Sequence, residues 1–308
     1  MARVLVTGSS GFLGGTVATR LLAARHVVLG LDQAARPPDA TYVHVTDDLS
    51  DRVRLDAILA ETRPTHILHA GGVSGPMVIA DQPASIMAIN VGGTLNLVQA
   101  ALAAGVGTFV HCSSISAVGP YDVAGPIGID QPLRPDTPYG CSKAAVEFIL
   151  QGLWRRVPMQ LCTLRFTGIY GPGRRTSYLL DDIVAAALDG RPVRIPPTSP
   201  APYIHGDDAA DAAVAACFAT SRSQLAYYVA HPEIVGLDQI CDIIAEQIGP
   251  VDVQVDETLP AARRGPADLG PTVRDLGFTA RIGIVEGLTG LIAVRRAAHQ
   301  QGARTSCT

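Results

Sequence analysis

The 308-residue chain has almost no lysine: 23 of its 24 basic side chains are arginine, and Lys143 is the one exception. It has no basic run and no interleaving of basic with aromatic residues, and its formal net charge is −4, which excludes a phosphate-tracking nucleic-acid surface. No uninterrupted apolar run approaches the roughly 20 residues that cross a bilayer, so no membrane partner is expected. The six cysteines, Cys112, Cys141, Cys162, Cys217, Cys241 and Cys307, form no Cys-x-x-Cys pair and have no histidines at ligand spacing, which excludes a structural metal site of the common kinds. Charged residues make up only 17% against 47% hydrophobic, the balance of a globular chain that buries a sizeable core. Met1 to Val6 lead straight into a glycine-rich turn, with no space for the apolar region of a signal peptide. The expectation is a reduced, cytoplasmic protein acting on a small molecule.

A solitary lysine in an arginine-rich chain points to work that a guanidinium cannot do. An ammonium is a compact point charge on a flexible stem, able to fit between ribose hydroxyls and to tune a neighbour's proton affinity. Lys143 lies four residues after Tyr139, and residues so spaced share one helix face. A cation held there favours the phenolate, so Tyr139 could exchange a proton with an alcohol or ketone. Tyr-x-x-x-Lys alone also fits a helix with a surface lysine and a half-buried tyrosine. It gains meaning only beside a place for a hydride carrier.

The first thirty residues offer that place. Val4 to Thr7 read as a short buried strand, followed by Gly8-Ser9-Ser10-Gly11-Phe12-Leu13-Gly14 and then a helical pattern at Val17, Leu21 and Leu22. Strand, glycine turn and helix is the context of a dinucleotide fingerprint: Gly8 permits the turn, Gly11 the approach of backbone to diphosphate, and Gly14 close packing of helix on strand. A second apolar run, Val27 to Leu31, ends at Asp32, where a carboxylate would accept from both adenosine ribose hydroxyls and repel a 2′-phosphate. NAD is therefore predicted over NADP. Arg36, close by, could bind that phosphate, and Asp32 could also be a simple strand-end turn residue.

Further strands are expected over Tyr42–Val45, His66–Ala70, Thr108–Cys112 and Met159–Phe166, with helices over Val53–Leu59, Pro83–Ala104 and Tyr139–Trp154. Alternation of this kind predicts a parallel, doubly wound sheet. Ser113, Ser114 and Ser116 stand at a strand's carboxyl end, where such sheets bind ligands, although serines there also close turns. His69 reads as a strand-end packing residue. After Phe166 the texture becomes loop-rich, notably over Pro192–Pro202, with a helix over Tyr178–Leu188, a helix over Asp207–Ala219, a strand over Ala226–Ala230, and a tail frayed beyond His299. The fold class is α/β: a Rossmann doubly wound sheet (1–166, with 203–230 returning to it) and a small C-terminal substrate lobe (167–202 and 231–308).

Taken in order, Thr7-Gly8-x-x-Gly11-x-x-Gly14, Asp32, Asp48-Leu49, His69-Ala70, Asn90-Val-Gly-Gly93-Thr94, Ser113-Ser114, Tyr139-x-x-x-Lys143, Arg165, Tyr170-Gly171-Pro172-Gly173 and His205-Gly-Asp207-Asp208 resemble the extended short-chain dehydrogenase/reductase family, also called the NAD-dependent epimerase/dehydratase family. The resemblance implies that Ser114 holds the reacting oxygen, that Tyr139 is the acid/base, and that Lys143 lowers the pKa of Tyr139 and binds the nicotinamide ribose. It further implies cofactor contacts at Gly8, Ser10, Gly11, Phe12, Leu13, Gly14, Asp32, Asp48, Leu49, Ala70, Gly71, Asn90 and Ser113, besides Tyr139 and Lys143. Substrate contacts are implied at Val73, Ser114, Ser116, Thr167 and Arg174. A homodimer through the helices near 83–104 and 139–154 is also implied.

The departures from the family pattern set the expected substrate. Members acting on nucleotide sugars carry an asparagine before the Tyr-Gly-Pro run and an arginine before the His-x-Asp-Asp run; this chain has Thr167 and Ala201. Losing that guanidinium removes a bidentate partner for a diphosphate. The first reading is thus a dehydrogenase or ketoreductase of a sugar, sugar acid or polyol, with Arg174 and Arg175 either gripping an anion or simply solvated. The alternatives are an NAD-dependent nucleotide-sugar epimerase or dehydratase and, in another class, an inactive NAD-binding sensor.

Overall fold

The computed structural model describes residues 1–74, 82–121, 125–197, 200–259 and 265–305. In chain order the first half runs β1 (Arg3–Thr7), α1 (Phe12–Ala23), β2 (Val27–Asp32), β3 (Val43–Thr46), α2 (Arg52–Thr62), β4 (His66–His69), α3 (Pro83–Met87), a π-helical segment (Ala88–Gly93), α4 (Thr94–Ala103), β5 (Thr108–Ser114), a 3₁₀ turn (Ile115–Ala117), α5 (Pro138–Leu153) and β6 (Gln160–Phe166). The second half runs β7 (Gly168–Tyr170), α6 (Leu179–Asp189), β8 (Val193–Ile195), β9 (Ala201–His205), α7 (Gly206–Phe218), β10 (Ala226–Val229), β11 (Ile234–Val235), α8 (Leu237–Ile248), β12 (Val253–Val255), α9 (Gly270–Leu276) and α10 (Ile284–Thr305).

Seven parallel strands form one sheet in the order β10-β6-β5-β4-β1-β2-β3. Both faces are covered, so the central strands read as continuous apolar runs rather than as alternations. One face packs Val4, Val6, Leu68, Val110, Cys112 and Leu164 under α1 and α7; the other packs Leu5, Ile67, Phe109 and Leu161 under α2, α4 and α5. On that second face the register stacks the side chains in layers. Leu5, Ile67, Phe109 and Leu161 are cross-strand partners in an apolar row, and two residues further along, Thr7, His69, His111 and Thr163 make a polar one. The polar layer lies on the side of the active-site end of the strands.

The continuous helix Pro83–Ala103 is long and apolar enough to cross a bilayer by length and composition alone. Its Ile86, Leu97, Val98, Ala100 and Ala101 side is buried, however, and it carries the buried polar pair Asn90 and Thr94, which suits a core helix.

The C-terminal lobe has its own core, built from Tyr170, Leu180, Ile183, Val184, Ile240, Ile244, Leu288 and Ile292. Two details correct the expectations. The run Pro192–Pro202 is not only loop, since β8 pairs with β12 and β9 pairs with β7 and β11. Nor does the chain fray at His299: α10 continues to Thr305, held by Arg295 on buried Asp181 at 2.7 Å and by His299 on Asp189 at 3.1 Å.

Candidate active site

Helix α5 begins with built-in stops that aim its first turn. Thr137 caps it, its hydroxyl accepting from the Gly140 N–H at 3.1 Å, and Pro138 follows at the first helical position, where its missing N–H costs nothing. Gly140 is buried against the Ser116 carbonyl, and a β-carbon there would stand only 2.4 Å from that oxygen. The absence of a side chain thus lets α5 approach the turn that follows Ser114 and brings Tyr139 to the same end of the sheet. Ser114 accepts from the Ser116 N–H at 3.1 Å, which leaves its own O–H proton for another acceptor.

Tyr139, Lys143 and Glu147 follow one another at intervals of four along one face of α5. Lys143 is 7% exposed, so its ammonium does not stand in bulk water; it donates to the Cys112 carbonyl at 2.9 Å and lies 5.8 Å from the centroid of the Tyr139 ring. Among the described residues no protein group bonds the Tyr139 hydroxyl, which leaves it for a ligand. Beneath them, Glu147 makes a buried pair with Arg165 at 2.8 Å, and Arg165 also donates to Tyr228 at 3.0 Å. Burial alone would make Arg165 easier to deprotonate, but Glu147 and Tyr228 outweigh it and hold the guanidinium charged. Ser113 donates to Glu147 at 2.6 Å. Its hydroxyl therefore points into this network rather than outward, leaving only its backbone for the expected cofactor contact.

Asn90 is similarly committed. Its amide accepts from the Val73 N–H at 2.9 Å and donates to the Val73 carbonyl at 3.0 Å and to Ser142 at 2.9 Å, so it braces the loop after β4 against α5. Asp48 accepts from both the N–H and the hydroxyl of Ser50, which holds its carboxyl below the usual range and shapes its own turn; Leu49 packs beside the π-helical segment at Gly93. Thr167 is buried, its hydroxyl 3.4 Å from the Val229 carbonyl. Arg174 turns back on its own loop, donating to the carbonyls of Ile169 and Thr176 and stacking at 4.4 Å over Tyr178.

His69 is a connector. Thr94 gives its one hydroxyl proton to the Asn90 carbonyl at 2.5 Å, so His69 Nε2 must donate to Thr94, and Nδ1 then accepts from Thr7, whose oxygen receives the Gly71 N–H at 3.0 Å. The chain of bonds ties the two loops at the strand ends to the helix above them. Burial, and secondarily the charge of Lys143, push the pKa of His69 down to about 3. His111 beside it is fully buried and driven well below the ordinary value by burial, Lys143 and His69.

At the other edge of the site Gly8 has φ +69°, and a β-carbon there would stand 2.8 Å from the Gly71 N, so only glycine fits where the loops after β1 and β4 touch, Ala70 included. Asp32 accepts from the Ser10 and Ala34 N–H groups at 3.0 and 2.9 Å. Helix α1 starts at Phe12 after Gly11, with no side-chain cap and no acidic residue in its first turn. Its first amides, those of Phe12, Leu13 and Gly14, are thus left for an anion, the fit a dinucleotide's diphosphate requires. A cavity of about 840 Å³ lined by Arg3, Arg63, His66 and Gln160 lies at the opposite, amino ends of the strands, away from Ser114 and Tyr139.

The sequence profile of the NAD dependent epimerase/dehydratase family matches residues 4–229. The chain belongs to that family. It is 33% identical over 230 residues to the UDP-glucose 4-epimerase of Mycolicibacterium smegmatis (strain ATCC 700084 / mc(2)155), covering 70% of this chain and 72% of that one. It is 29% identical over 207 residues to the dTDP-glucose 4,6-dehydratase of Streptomyces antibioticus, covering 63% of this chain and 60% of the relative. Among solved structures, MoeE5 in complex with UDP-glucuronic acid and NAD superposes with a TM-score of 0.87 at 27% identity, covering 96% of this chain and 99% of that one.

Family membership makes this an NAD-dependent enzyme. The glycine turn, the uncapped start of α1 and Asp32 are the residues that would hold NAD, which supplies a hydride acceptor and donor. The chain is epimerase/dehydratase-like, so the comparisons fit the second of the readings set out from the sequence better than the first. Three contributors escaped the reading of the sequence: Gly140, Glu147 and His111. Glu147 carried a usable signal, since it extends the spacing of four set by Tyr139 and Lys143. His111 carried one as well, a polar residue at an inward position of a buried strand.

Proposed function

We propose that this protein is an NAD-dependent epimerase of a nucleotide sugar, inverting one secondary alcohol carbon. What carries the reading is the convergence of Ser114, Tyr139 and Lys143 at the carboxyl ends of β5 and α5's first turns, in a chain similar to a UDP-glucose 4-epimerase. Tyr139 takes the proton of the substrate hydroxyl as the carbon is oxidised and returns it when the ketone is reduced on its other face. Ser114, with its O–H proton to give, bonds the same oxygen. Lys143, buried and anchored on the Cys112 carbonyl, holds positive charge beside the phenol throughout. Dehydration would need an additional acid/base pair to remove a ring-carbon proton and expel water. From Ser113 to Gly119 the segment beside Tyr139 offers hydroxyls and no carboxylate, which favours epimerisation.

The test is incubation of the NAD-loaded protein with UDP-glucose and UDP-glucuronic acid, with products followed by proton NMR. An inverted carbon without net NADH supports the reading; a keto-deoxy product means a dehydratase. A second reading, net dehydrogenation of a smaller hydroxylated substrate, draws on Ala201 at the start of β9, where the resemblance implies a diphosphate-gripping arginine. Stoichiometric NADH from a sugar, sugar acid or polyol would establish it instead.

We also propose assembly as a homodimer through α5 and the helix Pro83–Ala103, which leave Phe148, Met87 and Leu95 exposed. A reducing compartment suits the free cysteines Cys112, Cys141, Cys162, Cys217 and Cys241.

A further inference from the structure

We propose that Arg175 is a cofactor-binding residue, reaching from the substrate lobe across the glycine-rich turn to pair with the diphosphate of NAD. The inference rests on NAD being the cofactor and not on the identity of the sugar.

Consecutive arginines in the loop after β7 turn opposite ways. Arg174 is spent inside the lobe, on the carbonyls of Ile169 and Thr176 and on the face of Tyr178. Arg175 leaves the lobe and donates to the carbonyl of Ser10, between Gly8 and Gly11. Ser10 is thereby the junction of three parts: its N–H donates to Asp32 at 3.0 Å, its hydroxyl to the Ala35 carbonyl at 3.0 Å, and its carbonyl receives Arg175.

The loop is seated there by a second, apolar contact. The ring of Phe12, first residue of α1, lies against Gly206 at the start of α7 and within van der Waals reach of the lobe's Gly173, where a β-carbon would stand 3.9 Å from the ring. The segment 171–175 therefore rests over the start of α1, the place whose uncapped amides suit a diphosphate.

A guanidinium has five N–H donors in a planar fork. Arg175 uses one on a neutral oxygen and pairs with no carboxylate among the described residues. A cation with unused donors, held beside an uncapped helix start that has no acidic residue in its first turn, complements a dianionic group in charge and in geometry. For an enzyme that returns its hydride to the same substrate, a clamp contributed by the substrate lobe also links cofactor retention to lobe position.

The competing account is that Arg175 only braces the glycine turn. Titration calorimetry of the full chain without any sugar separates the two, using Arg175→Gln, Arg175→Ala and Arg175→Lys. With a diphosphate contact, Arg175→Gln and Arg175→Ala raise the Kd for NAD and for ADP-ribose by about ten- to a hundredfold, the usual worth of a charge-assisted bond, while adenosine binding stays within about twofold. Arg175→Lys recovers part of the loss. A change in NAD affinity below about threefold overturns the proposal. So does an equal weakening of adenosine and NAD, which would mark a turn-bracing role acting through Ser10 and Asp32. Because no sugar enters the titrations, failure here leaves the epimerase reading standing.

Discussion

Gly140 and the Ser116 carbonyl are in such close contact that the alignment of α5 with the end of β5 depends on a missing methyl group. Gly140→Ala must push the helix start away by several tenths of an ångström or more, because a 2.4 Å contact with backbone oxygen cannot be relieved by rotating a side chain. Misplacement on that scale costs about a hundredfold in kcat. NAD affinity, governed by the glycine turn and Asp32, should change little. Steady-state kinetics alongside NAD titration check this, and a kcat within threefold of wild type would show that the two elements are positioned by something else.

Tyr139→Phe removes one oxygen and leaves the ring's packing intact. If the phenol moves the proton, turnover falls by roughly a hundred- to ten-thousandfold, while the Kd for NAD remains near wild type. Near-normal turnover would remove Tyr139 from the chemistry. Ser114→Ala is expected to lose less, since it deletes a hydrogen bond and not the proton carrier.

Glu147 has a structural task. Its carboxylate receives Arg165 and Ser113 in a nearly dry environment, and both partners of the ion pair are about 5% exposed. Glu147→Gln leaves a buried guanidinium without its counter-charge, at a cost of about 3–5 kcal/mol. The double variant Glu147→Gln/Arg165→Met should recover much of that loss, because removing both charges abolishes the unpaired one. Denaturant unfolding of the wild type and the two variants decides it; equal stability of the single and double variants would mean that the pair is not what holds the network.

How much of this was legible in the residues depends on whether a feature is local. The strand-turn-helix at Thr7–Gly14, the acid at Asp32 and the Tyr139/Lys143 spacing are patterns within one or two elements, and the fold places them as local physics dictates. Ser113 and Asn90 are different: their side chains are claimed by Glu147 and by Val73 with Ser142, partners 17 to 52 residues away, and no local pattern announces such pairings. The same holds for the two arginines after Gly173, which local reading treats as equivalent. Only the packing of Tyr178 on one side and Ser10 on the other separates their roles.

The polar layer over the apolar core makes a prediction about acid. His69 and His111 are cross-strand partners with ring centroids 5.5 Å apart, both buried and both held neutral, His69 with a pKa of about 3. The unfolded chain titrates both near the ordinary value of 6.5, so below that pH it binds more protons than the native state and stability falls as the solution is acidified. Between pH 6.5 and 5.5 the pair should cost roughly 2 kcal/mol, about 1 kcal/mol for each histidine. His111 is the better residue to remove. Both of its ring nitrogens are buried without a partner among the described residues, as is the hydroxyl of Thr163, its cross-strand neighbour on β6, whereas both nitrogens of His69 are bonded. His111→Phe deletes two unpaired polar atoms and one proton-binding group while keeping a ring in the layer. It should therefore be at least as stable as wild type at pH 7.5 and show about half the pair's acid sensitivity. Urea midpoints measured at pH 5.5, 6.5 and 7.5 for both proteins test this. An unchanged slope with pH would mean that His111 is not held neutral, and a variant several kcal/mol weaker at pH 7.5 would mean that its nitrogens are satisfied by bonds the protein depends on.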